Sequence, residues 1–340
     1  MSSLPPSDPW AWRPASPSRL EKPVTLLRLD GPDSRRFLHG QSSQDLALAP
    51  PGAWRRTCCL TPTARLRALA EVLIDAGGAW LVITAGDASA VREAFDRVLF
   101  PADAVQLGAL LPGLWVEGSE GSIPSQGGIW ESLGEGAGWR LEGGALVLPA
   151  GATLPAELVE LVELVERPLL AAAEVERLRI ARGEPAAPAE LNEDGNPFEL
   201  GLAARVSLSK GCYLGQETLA RLATYDGVKQ QLRRWHLPAQ AGPAPAPGEA
   251  LAMVEGVESG QGEATRAGQV STVLALPEGG WIGLALVRRA ALAELRLRTA
   301  GGAWLEVSVP EGVQPPPVGA GGGQASGGGS GGGGASASPG

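Results

Sequence analysis

The chain has 340 residues, long enough for two or three domains, and its 44% hydrophobic and 19% charged residues are the balance of a globular protein with a real apolar core. A formal charge of −9 argues against a broad phosphate-binding surface, so no stable nucleic-acid partner is expected. No apolar run reaches membrane-spanning length and the N-terminus lacks a signal-peptide pattern, so the expectation is no membrane and a cytoplasmic location. Three cysteines, two of them adjacent at Cys58 and Cys59, exclude a disulfide framework, and two histidines, His39 and His236, leave no protein-only metal site to expect.

In chain order, residues 1–18 are rich in Pro and Ser and read as a flexible N-terminus. Val24 to Leu29 predicts a strand, and Gly31 to Ser34 a turn that caps a helix carrying Phe37 and Leu38. Leu66 to Ile74 and Ala79 to Thr84 flank Asp75-Ala76-Gly77-Gly78 and predict a hairpin; Asp87 to Phe100 has helical spacing in Val91, Phe95, Val98 and Leu99. Short strands from about Trp130 give way to two helical segments, Pro155–Arg167 and Leu169–Arg182, divided at Pro168, while the glycines of 134–138 read as a loop. Beyond the Pro-rich stretch 238–249, Ala267 to Leu276, Gly280 to Val287, Glu294 to Thr299 and Trp304 to Val309 predict a small β-barrel. The fold class is α+β, with an α+β region at 19–237 of two interlocked subdomains, a barrel domain at 238–318 and a disordered Gly/Ser tail at 319–340.

Lys210 to Arg221, KGCYLGQETLAR, sets a Lys, a Cys and a Tyr between glycines, directly before a helix-forming run. Gly211 and Gly215 permit backbone angles other residues resist, a thiol beside Lys210 and a helix start is favoured as thiolate, and Tyr213 offers a flat face. Read alone, the same residues describe a packed thiol and a core aromatic on a glycine-rich turn, and a Cys without an evident His partner favours that reading. The cations Arg221, Lys229, Arg233 and Arg234 read as a solvated face or a local basic groove.

KGCYLGQE resembles the signature of the YgfZ family of folate-binding regulators and iron–sulfur cluster assembly factors, in the glycine-cleavage T-protein (aminomethyltransferase) superfamily. The preceding LRIARGEP and Asn196–Leu202 (NPFELGL), the upstream RRFLHGQSSQDL and CLTPTARLRA, and the later AGQVSTV are similar to further family elements, so the resemblance covers about residues 20 to 310. Ala64 stands where the family carries Gly and Ser43 where Thr is common. The resemblance implies two α+β domains and a C-terminal β-barrel around a central channel for tetrahydrofolate or a derivative, with iron–sulfur client or assembly proteins as partners and indirect effects on tRNA modification.

By the same resemblance, Cys212 and Lys210 are the candidate catalytic groups; Glu199, Tyr213, Gln216 and Arg221 are candidate folate contacts; and Gly211, Gly215 and Glu217 are motif positions. Glu199 would accept the paired N–H donors of a pterin, with Arg221 and Arg234 toward the glutamyl tail. In VITAGDASAVREAF, Thr84 stands for the Asn and Val91 for the Asp of the aminomethyltransferases, with Asp87 and Glu93 out of register, so no acid is evident for classical aminomethyl transfer. Val24 occupies the place of a folate-contacting Trp, leaving Trp54, Trp80 and Trp235 as possible ring walls or, more simply, core residues. A folate-dependent one-carbon transferase and a non-catalytic partner-binding module are the alternatives.

Overall fold

The computed structural model describes residues 8–121, 124–155, 159–254 and 264–318. Its first half is organised by one closed antiparallel barrel. β1 (Arg19–Asp30), β2 (Ala53–Leu60), β3 (Leu66–Ile74), β4 (Gly78–Gly86), β5 (Gln106–Gly118), β6 (Gly127–Ser132), β7 (Trp139–Leu141) and β8 (Leu146–Pro149) run in the order β1-β4-β3-β2-β6-β7-β8-β5. The predicted hairpin is its β3–β4 pair, with Ile74 opposite Ala79. Strand alternation sends Val24, Leu26, Trp54, Leu73, Val82, Trp115, Trp139 and Val147 into one interior cluster.

The opposite face of β1, β3 and β4 is equally apolar, in Leu27, Leu29, Val72, Ile74, Leu81 and Ile83. It is covered by α1 (Ser34–Gln41) and α2 (Ala88–Val98), whose Phe37 and Phe95 rings meet edge-to-face at 5.4 Å. Asp87 caps α2 through Ala90 N at 2.9 Å. Asp33 stands at the predicted cap of α1, but its carboxylate pairs with Arg36 and accepts from Ala104 N instead.

α3 (Val159–Glu166) and α4 (Ala172–Arg182) are separated around Pro168 as expected, because the chain between them is extended and bonds to the start of β1. α5 (Gln216–Thr224) follows the KGCYLG segment. The second closed barrel contains β9 (Gln230–Leu237), β10 (Ala250–Val254), β11 (Ala264–Ala275), β12 (Trp281–Arg288), β13 (Arg296–Thr299) and β14 (Trp304–Ser308), in the order β10-β11-β12-β9-β14-β13. Trp235, Leu251, Val270, Ala285, Leu297 and Leu305 fill it. Gly283 is required there: a Cβ would lie 1.9 Å from Thr272 O and 2.4 Å from the Trp235 ring.

Three boundaries differ from the sequence reading. The first region is one eight-stranded barrel with flanking helices, since β1 pairs along most of its length with β5, which local patterning did not reveal. β9, assigned by sequence to the first unit, is a stave of the second barrel between β12 and β14. Within residues 8–18, expected to be flexible, two side chains are anchored: Trp10 and Trp12 lie under the guanidinium groups of Arg234 and Arg177, at 4.4 and 4.8 Å. Residues 1–7 and the 319–340 tail lie outside the described residues.

Candidate functional site

Residues 210–214 form an arch over the C-terminal end of α1. One foot is Lys210, whose Nζ donates to His39 O, to Ser42 O at 2.7 Å and to Gln44 O at 2.8 Å. The other foot is the bond from Leu214 N to Gly40 O at 3.0 Å. Burial pulls the Lys210 pKa down to about 7, but three carbonyls accept all three ammonium protons and oppose that shift. Lys210, a candidate catalytic group by sequence, is therefore a staple; no donor is left for a reactant.

Beneath the arch, the Tyr213 ring packs in the core with its face under Lys210 Nζ, 4.3 Å from the centroid. Its hydroxyl is buried without a partner, and burial raises its pKa. Tyr213 thus offers no face to a ligand. Gly215 caps α5 at φ +82 and approaches so closely that a Cβ would sit 3.0 Å from Ala64 Cα. Ala64 itself has φ +60, a left-handed conformation that suits the Gly the resemblance places there. Gln216 Nε2 reaches Lys210 O at 3.4 Å, while Glu217 and Arg221 face solvent and each other at 3.9 Å. Gln216, Glu217 and Arg221 line neither of the two clefts that hold Glu199 and Asp87.

Cys212, at the crown of the arch, is exposed. Cys58 and Cys59 are fully buried on β2, and burial pushes their thiols up to about 11 and about 12. Only one of the three thiols is accessible for chemistry.

Glu199 lies elsewhere. The Asn196 side-chain oxygen accepts from Phe198 N and Glu199 N, a tight turn that sets the Glu199 carboxylate against Asn196 N at 3.2 Å. The carboxylate lines a cleft of about 760 Å3 with Arg65, Lys229, Gln230 and Arg288. Burial raises its pKa, with the Asn196 amide and Arg65 pulling the other way. A second cleft, of about 830 Å3, is lined by Val24, Arg67, Asp87, Pro112, Leu191 and Glu193. The two lie on either side of a seam where segment 193–195 meets the start of β3: Leu66 N donates to Gly195 O at 2.9 Å, Arg65 to Asp194 O, and Arg67 to Glu193 at 2.8 Å. The resemblance implies one channel; these side chains sit in two clefts.

The remaining candidates are corrected by packing. Val91 is core, 1% exposed, so a carboxylate there would be buried against Phe95; the nearby acid that lines the second cleft is Asp87, the N-cap of α2. Thr84 bonds back to Leu69 O. Trp54 is buried on Glu71, Trp235 donates to Leu284 O inside the second barrel, and Trp80 packs on Trp139, so none walls either large cleft. Arg234 is held by Ser308, Ala181 O and Trp10, and Arg233 by Gln231 and Leu232 O, whereas Arg221 faces solvent on α5.

No family model matches the chain. The crystal structure of the glycine cleavage system aminomethyltransferase T from Bartonella henselae superposes with a TM-score of 0.63 at 20% identity, covering 88% of this chain and 86% of that one. The chain has the T-protein fold. A chloroplastic protein of Arabidopsis thaliana, provisionally named a transferase, is 31% identical over 242 residues, covering 64% of this chain. The chain spans about half, 55%, of that relative's length. Among the described residues no helix is long and apolar enough to cross a membrane, and no group of His, Cys, Asp and Glu side chains is arranged to hold a metal ion.

Proposed function

We propose that the protein binds a reduced folate in the Glu199 cleft and uses Cys212 to support assembly or repair of iron–sulfur proteins, with effects on tRNA modification following indirectly. The observation that carries this reading is the arch: Lys210 and Leu214 pin both feet to α1, and the only accessible thiol is held out at its crown. An exposed thiol on a fixed loop suits transient contact with sulfur, iron or a client protein. Folate fits the cleft chemically. Its size is that of a small-molecule site, the Glu199 carboxylate matches adjacent pterin N–H donors, and Arg65, Lys229 and Arg288 suit a glutamyl tail.

In a strain lacking its own family member, wild type is expected to restore a cluster-dependent tRNA thiolation enzyme and Cys212→Ala to restore little of it. Equal rescue by both removes the thiol from the mechanism and leaves a non-catalytic binding module.

Glu199→Gln is expected to weaken tetrahydrofolate binding about tenfold, measured by fluorescence titration, because a carboxamide accepts less strongly and presents a donor to donors. The same change raises the urea midpoint at pH 7. A carboxyl whose folded-state pKa is raised makes the folded protein lose stability as pH climbs from the unfolded value through the folded one, and Gln removes that loss. Unchanged affinity would move the folate to the other cleft.

A one-carbon transferase is favoured by one observation, Asp87 in the second cleft with one carboxylate oxygen committed to capping α2. It requires turnover of an aminomethyl donor with tetrahydrofolate, lost in Asp87→Asn; absence of turnover in the wild type leaves the maintenance reading.

A further inference from the structure

On the outer face of the second barrel the strand register aligns one row of side chains. Ala252 of β10 lies opposite Arg266 of β11 on one side and Arg298 of β13 on the other, and Arg298 lies opposite Trp304 of β14. Leu251, Leu297 and Leu305, their neighbours in the chain, are fully buried inside the barrel, so alternation turns the row Arg266–Ala252–Arg298–Trp304 outward. The two arginines stand two strand spacings apart, about 10 Å. They wall a cleft of about 490 Å3 whose floor is Ala250, Ala252, Ala264 and Ala300. Both are exposed, and neither has an ion-pair partner among the described residues. The nearest acids are engaged elsewhere: Glu249 accepts from Ala246 N at 2.9 Å and Gly301 N at 3.2 Å, and Glu306 lies 3.4 Å from His236. A third cation, Arg296, sits over the Trp304 ring at 5.4 Å.

We propose that this row is a seat for single-stranded nucleic acid, with neighbouring phosphates on Arg266 and Arg298 and a base stacked on Trp304. Planar guanidinium forks without a competing carboxylate match phosphate oxygens. An aromatic ring beside them accepts any base by stacking. The alanine floor is flat and open at the surface, so a strand can lie across it, whereas a duplex keeps its bases paired inside, away from the ring. The formal charge of −9 makes the surface as a whole repel a polyanion, which confines binding to this local row and keeps it weak and sensitive to salt. Neither the Glu199 cleft nor Cys212 takes part in it.

Fluorescence anisotropy of the full-length protein with labelled single-stranded RNA and DNA of about twelve nucleotides reads this. Wild type is expected to bind both with a Kd on the order of 10 μM at about 50 mM salt, weakening as salt rises. The paired change Arg266→Gln with Arg298→Gln is expected to bind about tenfold more weakly and to flatten the slope of log K against log salt by about 1.4, the share of two single-strand phosphates. Trp304→Leu is expected to lose about tenfold in affinity with the slope unchanged, because stacking carries no counterions. Both arginines are exposed, so the urea midpoint of the paired variant stays at the wild-type value. No binding by wild type overturns the proposal, as does equal binding by the paired glutamine variant. A duplex of the same length bound as tightly overturns the single-strand reading, and a polyglutamate peptide bound as tightly makes the row a site for acidic protein segments instead. Failure of the folate or thiol reading leaves all of these results unchanged.

Discussion

Lys210→Met is expected to lower the free energy of unfolding by about 3 kcal/mol, with the loss visible in a urea titration before any functional assay. The thioether fills the space of the Lys stem but leaves the carbonyls of His39, Ser42 and Gln44 without their shared donor. Each orphaned acceptor costs about 1 kcal/mol after partial rehydration. The damage spreads, because Lys210 ties the α1–β2 connection to the arch; its loss also frees the segment that places Cys212. A Met variant with unchanged stability and abolished rescue would return Lys210 to the reacting groups. A variant that loses both confirms a staple.

Glu190→Ala is expected to cost about 3–5 kcal/mol. The Glu190 carboxylate is fully buried and accepts from Ser271 Oγ at 2.5 Å, Thr272 Oγ1 at 2.7 Å and Ala186 N at 3.0 Å, with Arg179 at 3.4 Å. Ser271 and Thr272 belong to β11 of the second barrel, and Arg179 to α4, so one carboxylate ties α4 and the segment after it to a strand some way along the chain. Truncation leaves two hydroxyls, an amide and a guanidinium facing a void. Glu190→Gln keeps the shape and loses the charge, so the loss there is about half. The check is differential scanning calorimetry of both variants, and a fall under 1 kcal/mol in Glu190→Ala would mean that the packing of α4 on the second barrel does not depend on this contact.

Much of the secondary structure was legible because its signals are local. The β3–β4 hairpin follows from apolar runs around Asp75–Gly78, α2 from the spacing of Val91 and Phe95 behind Asp87, and the break between α3 and α4 from Pro168. Strand β5 escaped notice, since its partners β1 and β8 come from far along the chain and Pro112 and Gly113 interrupt its apolar pattern. Trp10 and Trp12 misled in the other direction: a Pro-rich segment looks mobile until Arg234 and Arg177 are found above the two rings.

Sequence by itself determined the motif, the T-protein-like resemblance and the presence of a Cys, a Lys and a Tyr at one turn, because adjacency in the chain carries that information. The turn that holds Glu199 is built by Asn196 three residues earlier, so its cause also lies within a few residues of chain. Only the tertiary structure decided what each residue does. Lys210 became a staple and Tyr213 a core ring because α1, distant in sequence, lies against the arch with its carbonyls unpaired. Val91 faces the core and Asp87 a cleft because Val91 lies on the packed side of α2, while Asp87 is its non-helical N-cap at the open end of the helix. The end of α1 came beside Gly211 for a different reason: the closure of β1 through β8 fixes where that helix stops, and no pattern along the chain records a contact between segments so far apart.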